Sequence, residues 1–444
     1  MIDSFDDATG NPAIGVDGSS PARQPARGFA QNACVIIPRP RPTHCRVPSR
    51  IVPLAITAFT ATSALGRGRA AHGEALRSQR GGLRANDFTE TPLACAIGRV
   101  DGLETLPLPG AFADYDCRNN RLAWLGIGAD GFLDAARAAI ERYGADRVAL
   151  VLGTSTGSIG ATEEAYRDLE DGRFPARLRN RVLHTPHSLG VFLETALGTR
   201  GPCITVATAC SSSAKIFAQA ERLLRVGLAD AAILAGVDTL CGSVLFGFNA
   251  LELVSPQACR PFDVARRGIS IGEAAGFALL ERDGAATAPR LLGYGESSDA
   301  HHMSTPHPAG LGARLALADA FARSGLTPGA IDYINLHGTA TVKNDAVEAV
   351  LVADMFPAGA RASSTKGFTG HTLGAAGILE AVLTLLAMEQ GIVPGTLNST
   401  APDPVCGPQL ALSNETRTIR AALTNSFGFG GNNCILAFGS GRTQ

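Results

Sequence analysis

The sequence predicts an α/β protein built from a duplicated unit, and three observations lead there. From Val52 onward, short β-type apolar runs alternate with helix-length amphipathic stretches, the pattern of strands covered by helices. A succession of strand, short loop, reactive side chain and apolar helix occurs around Cys210 and again around His371, which points to two related halves. Glycine supplies 51 of 444 residues and charged side chains only 18%, against roughly 7% and 25% in an average domain. That composition suits a large interior with many close backbone approaches.

Taken in order, residues 1–50 hold 7 of the 25 prolines, and Pro38-Arg39-Pro40-Arg41-Pro42 fits neither a helix nor a central strand. This segment is expected to be a disordered extension. It has no apolar run ahead of a small-residue cleavage site, so it makes a poor secretory signal. Ala129–Tyr143 reads as a helix with Phe132, Leu133, Ala136 and Ile140 on one stripe, and Arg147–Leu152 as a buried strand ending at Gly153. Ile204–Ala207 is a short strand, Ser212–Val226 a helix turning Ile216, Phe217, Ala220, Leu223 and Leu224 inward, and Ala231–Ala235 another strand. In the second half Ile331–Leu336 is a strand. Arg361–Thr365 then leads through a Gly-rich loop into an apolar helix, Thr372–Gln390. The halves are placed at 52–288 and 289–441.

Charge and cysteine content exclude several classes. There are 39 basic and 40 acidic residues, a formal charge of −1, which gives no reason to expect nucleic acid. Apolar runs such as Ile51–Phe59 and Val382–Met388 are core-sized, shorter than the ~18 residues of a membrane span, so no membrane insertion is expected. The ten cysteines show no CxxC or paired Cys/His spacing, so neither a metal site nor a disulfide framework is expected, and reduced thiols in a cytoplasm are the default.

Four segments hold residues suited to chemistry. In Thr208-Ala209-Cys210-Ser211-Ser212-Ser213 a thiol lies where a strand stops and a helix starts, and helix-end N–H groups favour the thiolate; the alternative is a core-filling thiol. His337 ends an apolar strand and is followed by Gly338 and Thr339, as a ligand-facing side chain or a satisfied core histidine. Lys366 and His371 sit five residues apart in a loop of small residues, either buried together or solvated. The stretch Asn425-Ser426-Phe427-Gly428-Phe429-Gly430-Gly431 reads as a glycine-rich hairpin able to aim an N–H at a ligand.

Together, Thr-Ala-Cys before a helix, His-Gly-Thr-x-Thr, Lys-x-x-x-Gly-His-x-x-Gly-Ala-Ala-Gly and Asn-Ser-Phe-Gly-Phe-Gly-Gly resemble the elongating (type I/II) β-ketoacyl-acyl carrier protein synthases, from about Val52 to Gly439. The resemblance implies a thiolase-like fold, two duplicated halves in a five-layer αβαβα sandwich, and a dimer formed through the first half. It implies Cys210 as the nucleophile, and His337 and His371 as donors to the malonyl thioester during decarboxylation. Backbone N–H groups of Cys210 and Phe429 would form the oxyanion hole, with Phe429 also gating the acyl pocket. Lys366, Glu380 and Asp345 would form a supporting polar network, and Thr156 would lie at the end of the acyl pocket. No cofactor is implied, since phosphopantetheine arrives on the acyl carrier protein. Arg167, Arg173, Arg177, Arg179 and Arg181 form a basic cluster, expected to dock that acidic carrier.

Two departures from the fatty-acid pattern, Arg266-Arg267-Gly268 for Arg-Asp-Gly and Gly272-Glu273-Ala274 for Gly-Glu-Gly, count against the housekeeping fatty-acid branch, and the small polar Thr156 at the end of the acyl pocket implies a longer or more polar pocket, as for a specialised polyene or polyketide chain. The partner subunit is a second copy or a chain-length-factor-like protein. Three competing readings remain: a chain-length-factor-like subunit without turnover, which typically lacks the Cys; a thiolase, for which Cys434 lacks the expected setting; and a carrier-binding scaffold.

Overall fold

The computed structural model of the protein describes residues 50–441. The Pro-rich extension lies outside the described residues save for Arg50. Ten strands carry the fold: β1 (Leu54–Ser63), β2 (Val148–Gly153), β3 (Cys203–Val206), β4 (Ala231–Asp238), β5 (Ala274–Glu281), β6 (Arg290–Ser298), β7 (Tyr333–Asn335), β8 (Arg361–Ser363), β9 (Ala421–Gly428) and β10 (Asn432–Gly439). They follow one hydrogen-bonded path in the order β8-β7-β9-β10-β6-β1-β5-β4-β2-β3. The link between β6 and β1 is only two residue pairs long, Leu54 with Leu291 and Ala55 with Arg290. On each side of it the order by chain position is the same, first-fifth-fourth-second-third. The pairings also repeat, two antiparallel and then two parallel. The duplication expected from two sequence segments thus extends to every strand.

The helices that cover these sheets include α1 (Arg118–Ile127), α2 (Phe132–Tyr143), α3 (Ser188–Leu197), α4 (Ser212–Arg225), α5 (Leu311–Ser324), α6 (Val342–Met355) and α7 (Ala376–Gln390). Side chains alternate across a strand, and β2 uses both faces. Val148, Leu150 and Leu152 pack with α1, α2 and α3, whereas Ala149 and Val151 face α4 and α7. In the second half Ile334, Leu423 and Ile435 face α5 and α6, while Tyr333, Ala422 and Leu436 join the central cluster. Five layers result, with α4 and α7 in the middle. The helix expected at Ala129–Tyr143 starts regularly only at Phe132, because Asp130 and Gly131 are left-handed (φ 53° and 70°).

The central layer sets the site, because the two halves meet there through α4 and α7. Gly236 and Gly276 are cross-strand partners, and a Cβ on either would lie 2.5 or 2.7 Å from the Ile378 side chain. Ile378 of α7 fills the dent they leave, a burial worth about 1.5–3 kcal/mol. Gly377 lets α7 come against the backbone of Ala214, and the Ile378 N–H donates to Ser213 Oγ at 3.0 Å. The stretch Leu373–Gln390 has a mean hydropathy of 1.4, enough by length and composition to cross a membrane, yet 89% of it is buried inside the protein. It is the core helix of the duplicated fold.

Candidate active site

Cys210 and His337 stand just past strand ends, His371 follows the short helix Lys366–Thr369, and beside each the backbone turns sharply. Ala209, just before Cys210, is left-handed (φ 52°), as are Ala340, three residues past His337 (φ 66°), and Leu373, two past His371 (φ 56°). Each such non-glycine residue costs on the order of 1–3 kcal/mol, a strain that collects at functional sites. The turns bring Cys210, His337 and His371 to one cavity of about 520 Å³, lined also by Phe427, Gly428 and Phe429. The four segments singled out in the sequence therefore converge, except that Lys366 lies behind the cavity wall, fully buried.

Burial pushes the Cys210 thiol up to about 11, against the opposing pull of the Lys366 charge and the Phe429 N–H hydrogen-bonded to its sulfur. Against the sequence expectation of a favoured thiolate at the helix end, desolvation outweighs the groups that favour it, and the resting thiol is protonated. The ring planes of His337 and His371 stand nearly perpendicular (87°), with centroids 5.4 Å apart. Burial first, and then the Lys366 charge, hold both imidazoles well below their ordinary value, so both are neutral at pH 7. His337 Nδ1 lies 3.3 Å from Lys366 Nζ. An ammonium only donates, so Nδ1 is the acceptor and the single ring proton sits on Nε2. His371 is pinned by its backbone, its N–H donating to Ser270 O at 2.7 Å and its carbonyl accepting from Gly272 at 3.0 Å.

Lys366 donates to the His337 carbonyl and to Glu380 Oε1. A buried ammonium needs such partners, and the expected pair with Glu380 is present. Asp345 belongs elsewhere, which corrects the expected network: its carboxylate accepts the N–H groups of Phe262 (2.7 Å) and Ala340 (3.1 Å), and burial pushes it up to about 6. It fixes the turn after His337 and does not reach Lys366. The sequence reading missed Glu348, one helical turn beyond on α6. Its carboxylate takes the N–H groups of His337 and Gly338, both at 2.8 Å, and Asn425 Nδ2 at 3.0 Å. The available signal was two acids three residues apart on the inner face of the helix that follows the His-Gly-Thr loop.

Two further expectations are corrected. Thr156 does not line the cavity; its N–H and hydroxyl both donate to Asp238 Oδ1 at 2.8 Å. That buried carboxylate also takes the Thr154 hydroxyl at 2.5 Å and the Gly374 N–H at 2.6 Å, tying the Gly153–Gly157 loop to the His371 loop. The arginine cluster is not a net positive surface, since Glu163, Glu164, Asp168, Glu170 and Asp171 are interleaved with its five cations. Arg177 pairs with Glu164 at 2.9 Å and Asp168 at 2.7 Å, Arg167 pairs with Asp168 at 2.8 Å, and Arg179 donates to the Phe174 carbonyl. Arg173 is exposed. Phe429 lines the cavity, its ring 5.8 Å from that of Phe248, while Cys434 is buried in β10 away from it. Among the described residues no group of three His, Cys, Asp or Glu is placed to hold a metal ion.

A protonated thiol, two neutral imidazoles and a backbone N–H facing one cavity can form an acyl thioester and steady an enolate oxygen. Comparisons with known proteins agree with that chemistry. Residues 129–286 match the family model "Beta-ketoacyl synthase, N-terminal domain", and residues 289–400 match "Beta-ketoacyl synthase, C-terminal domain". The mitochondrial 3-oxoacyl-[acyl-carrier-protein] synthase of Arabidopsis thaliana is 40% identical over 264 residues, 55% of this chain and 57% of that protein. Nodulation protein E of Rhizobium meliloti (strain 1021) is 36% identical over 306 residues, 66% of this chain and 75% of that protein. A chain in the solved complex of the ketosynthase ApeO with its chain length factor ApeC, from Xenorhabdus doucetiae, shares 34% identity and superposes with a TM-score of 0.81, over 87% of this chain and 98% of that one. With both family domains matched and the four motifs meeting in one cavity, the chain belongs to the β-ketoacyl synthase family.

Proposed function

We propose that the protein condenses an acyl group with a malonyl group by decarboxylation, both delivered as thioesters of an acyl carrier protein. The observation that carries the reading is the cavity holding Cys210, His337 and His371 with Phe429 at its wall. Cys210 sulfur attacks the acyl thioester carbonyl; the carrier thiol leaves with the proton, and the acyl-enzyme remains. Malonyl-carrier then enters. Its C–CO2 bond breaks, the electron pair moves into an enolate, and its oxygen accepts hydrogen bonds from His337 Nε2–H and from His371. Fixed neutral donors lower this barrier because the charge they meet exists only in the transition state. The enolate carbon attacks the acyl-Cys210 carbonyl and a C–C bond forms, the Cys210 and Phe429 N–H groups holding the transient oxyanion; the C–S bond then breaks with its electron pair returning to the Cys210 sulfur, which takes up a proton from water to restore the resting thiol.

The finer reading is a specialised polyene-type pathway. The ketosynthase–chain length factor complex among the similar structures supports it, as does the departure at Arg266-Arg267-Gly268. The test feeds saturated and polyunsaturated acyl carriers with malonyl-carrier and measures β-ketoacyl product. Wild-type turnover with preference for the unsaturated chains is expected, and Cys210→Ala should lose on the order of 10^4-fold or more. A preference for ordinary saturated chains removes the pathway reading. Turnover that survives Cys210→Ala removes the mechanism.

We read β3 as the edge at which a second subunit, a copy of this chain or a chain-length-factor-like protein, would pair. That strand ends the sheet path with one neighbour, β2, and all four of its residues are half-buried, an edge suited to pairing with another chain. Thr205→Pro, which removes an N–H that points away from β2 in the parallel β2–β3 ladder, is expected to convert a dimer to a monomer in sedimentation; an unchanged mass would put the interface elsewhere.

A further inference from the structure

We propose that Arg260 and Arg267, with Lys343 at the same mouth, form an anion site that takes the phosphodiester of the substrate's phosphopantetheine arm. The inference rests on the condensing reading of the cavity. Beside the main cavity lies a smaller polar one of about 230 Å³, lined by Ser255, Gln257, Arg260 and Arg267 among others. Arg267 lines both cavities, and Lys343 lines the larger. Arg266 is committed to Asp403 at 2.7 Å. Its neighbour Arg267 is exposed, as is Lys343, and neither has an ion pair among the described residues. Arg260 spends one hydrogen bond, at 3.4 Å, on the neutral amide of Gln257.

The carboxylates nearby are mostly engaged. Asp263 accepts the N–H groups of Ala265, Thr400 and Ala401, and Asp299 accepts from His307 and Asn433. Glu252, exposed on the rim, is the remaining acid. Arg267 and Lys343 therefore face solvent where the larger cavity opens, with Arg260 half-buried in the smaller cavity beside them, whereas the cations of the 167–181 cluster are interleaved with an equal number of acids.

An arm whose thioester reaches Cys210 must leave its phosphate outside the buried part of the cavity, because a desolvated, unpaired anion is too costly. The phosphate therefore stays at the mouth. A guanidinium fork there presents paired N–H donors to its oxygens and is always charged. Arg267 also occupies the position at which the chain departs from the Arg-Asp-Gly pattern, so the charge at the rim is a property of this chain.

The experiment compares acyl thioesters of phosphopantetheine with those of pantetheine, which lacks the phosphate, on the full-length enzyme. Arg260→Gln/Arg267→Gln is expected to raise KM about tenfold for the phosphate-bearing thioester and to leave the phosphate-free one unchanged. Arg267→Asp should do the same or more. Equal changes on both substrates would overturn the site. A change seen only with the intact carrier would also overturn it, since the cations would then be reading the carrier's acidic side chains. Protection of Cys210 from iodoacetamide by phosphopantetheine against pantetheine gives the same comparison without turnover, so the site can fail while the condensing reaction stands, and the reverse.

Discussion

Replacing both His337 and His371 by alanine is expected to slow malonyl decarboxylation by on the order of 10^3-fold or more, while an acyl group still loads onto Cys210. One oxyanion donor is worth about 10²–10³-fold, and two donors acting on one oxygen are not additive. The split follows from the geometry. The two rings stand edge to face with centroids 5.4 Å apart as neutral donors, whereas loading uses the thiol and the Phe429 N–H at its sulfur. Carbon dioxide release from labelled malonyl-carrier, read beside the acyl adduct on the protein, separates the two steps. Parallel loss of both would mean that the imidazoles also serve the thiol.

The second large effect is on stability. Lys366→Met leaves Glu380 buried without its cation, and breaking a buried pair costs about 3–5 kcal/mol. Burial already raises the Glu380 carboxyl above its ordinary value of 4.5, and the Lys366 charge opposes that rise. Without Lys366 the rise is larger. A carboxyl whose folded-state value exceeds its unfolded one is bound to its proton in the fold, so stability is kept below the unfolded value and lost as pH climbs through the folded one. The destabilisation of Lys366→Met should therefore be small at pH 5 and near full at pH 8 in urea unfolding. Lys366→Met/Glu380→Leu should recover most of it, and a pH-independent loss would show that the pair is not what the variant breaks.

Much of this site was readable because its chemistry sits in consecutive residues. Cys210 and His337 each follow an apolar strand run and precede small residues, and His371 sits in a loop of small residues ahead of an apolar helix, so local sequence places all three. Lys366 and Glu380 meet because the loop and α7 are continuous. What escaped depends on partners distant in the chain. Thr156 turns toward Asp238, 82 residues away, and no local pattern records that choice. Asp345 and Glu348 share the inner face of α6, yet the backbone groups they hold, at Phe262, Ala340 and His337, are fixed only by the tertiary fold. The arginine cluster looked basic because its cations stand out in the sequence, while pairing with Glu164 and Asp168 is a matter of how a helix and the following loop pack. The strand order within each half also escaped, because the last two strands of each half insert between the first and second.

The central claim is that Cys210 carries the growing chain and gives it up to a malonyl unit. Intact-protein mass after mixing with acyl-carrier proteins, with Cys210→Ala in parallel, tests it most directly. The account predicts a single acyl adduct, absent in the variant, that disappears with carbon dioxide release when malonyl-carrier is added. An adduct that persists in Cys210→Ala, or one that malonyl-carrier does not discharge, would contradict it.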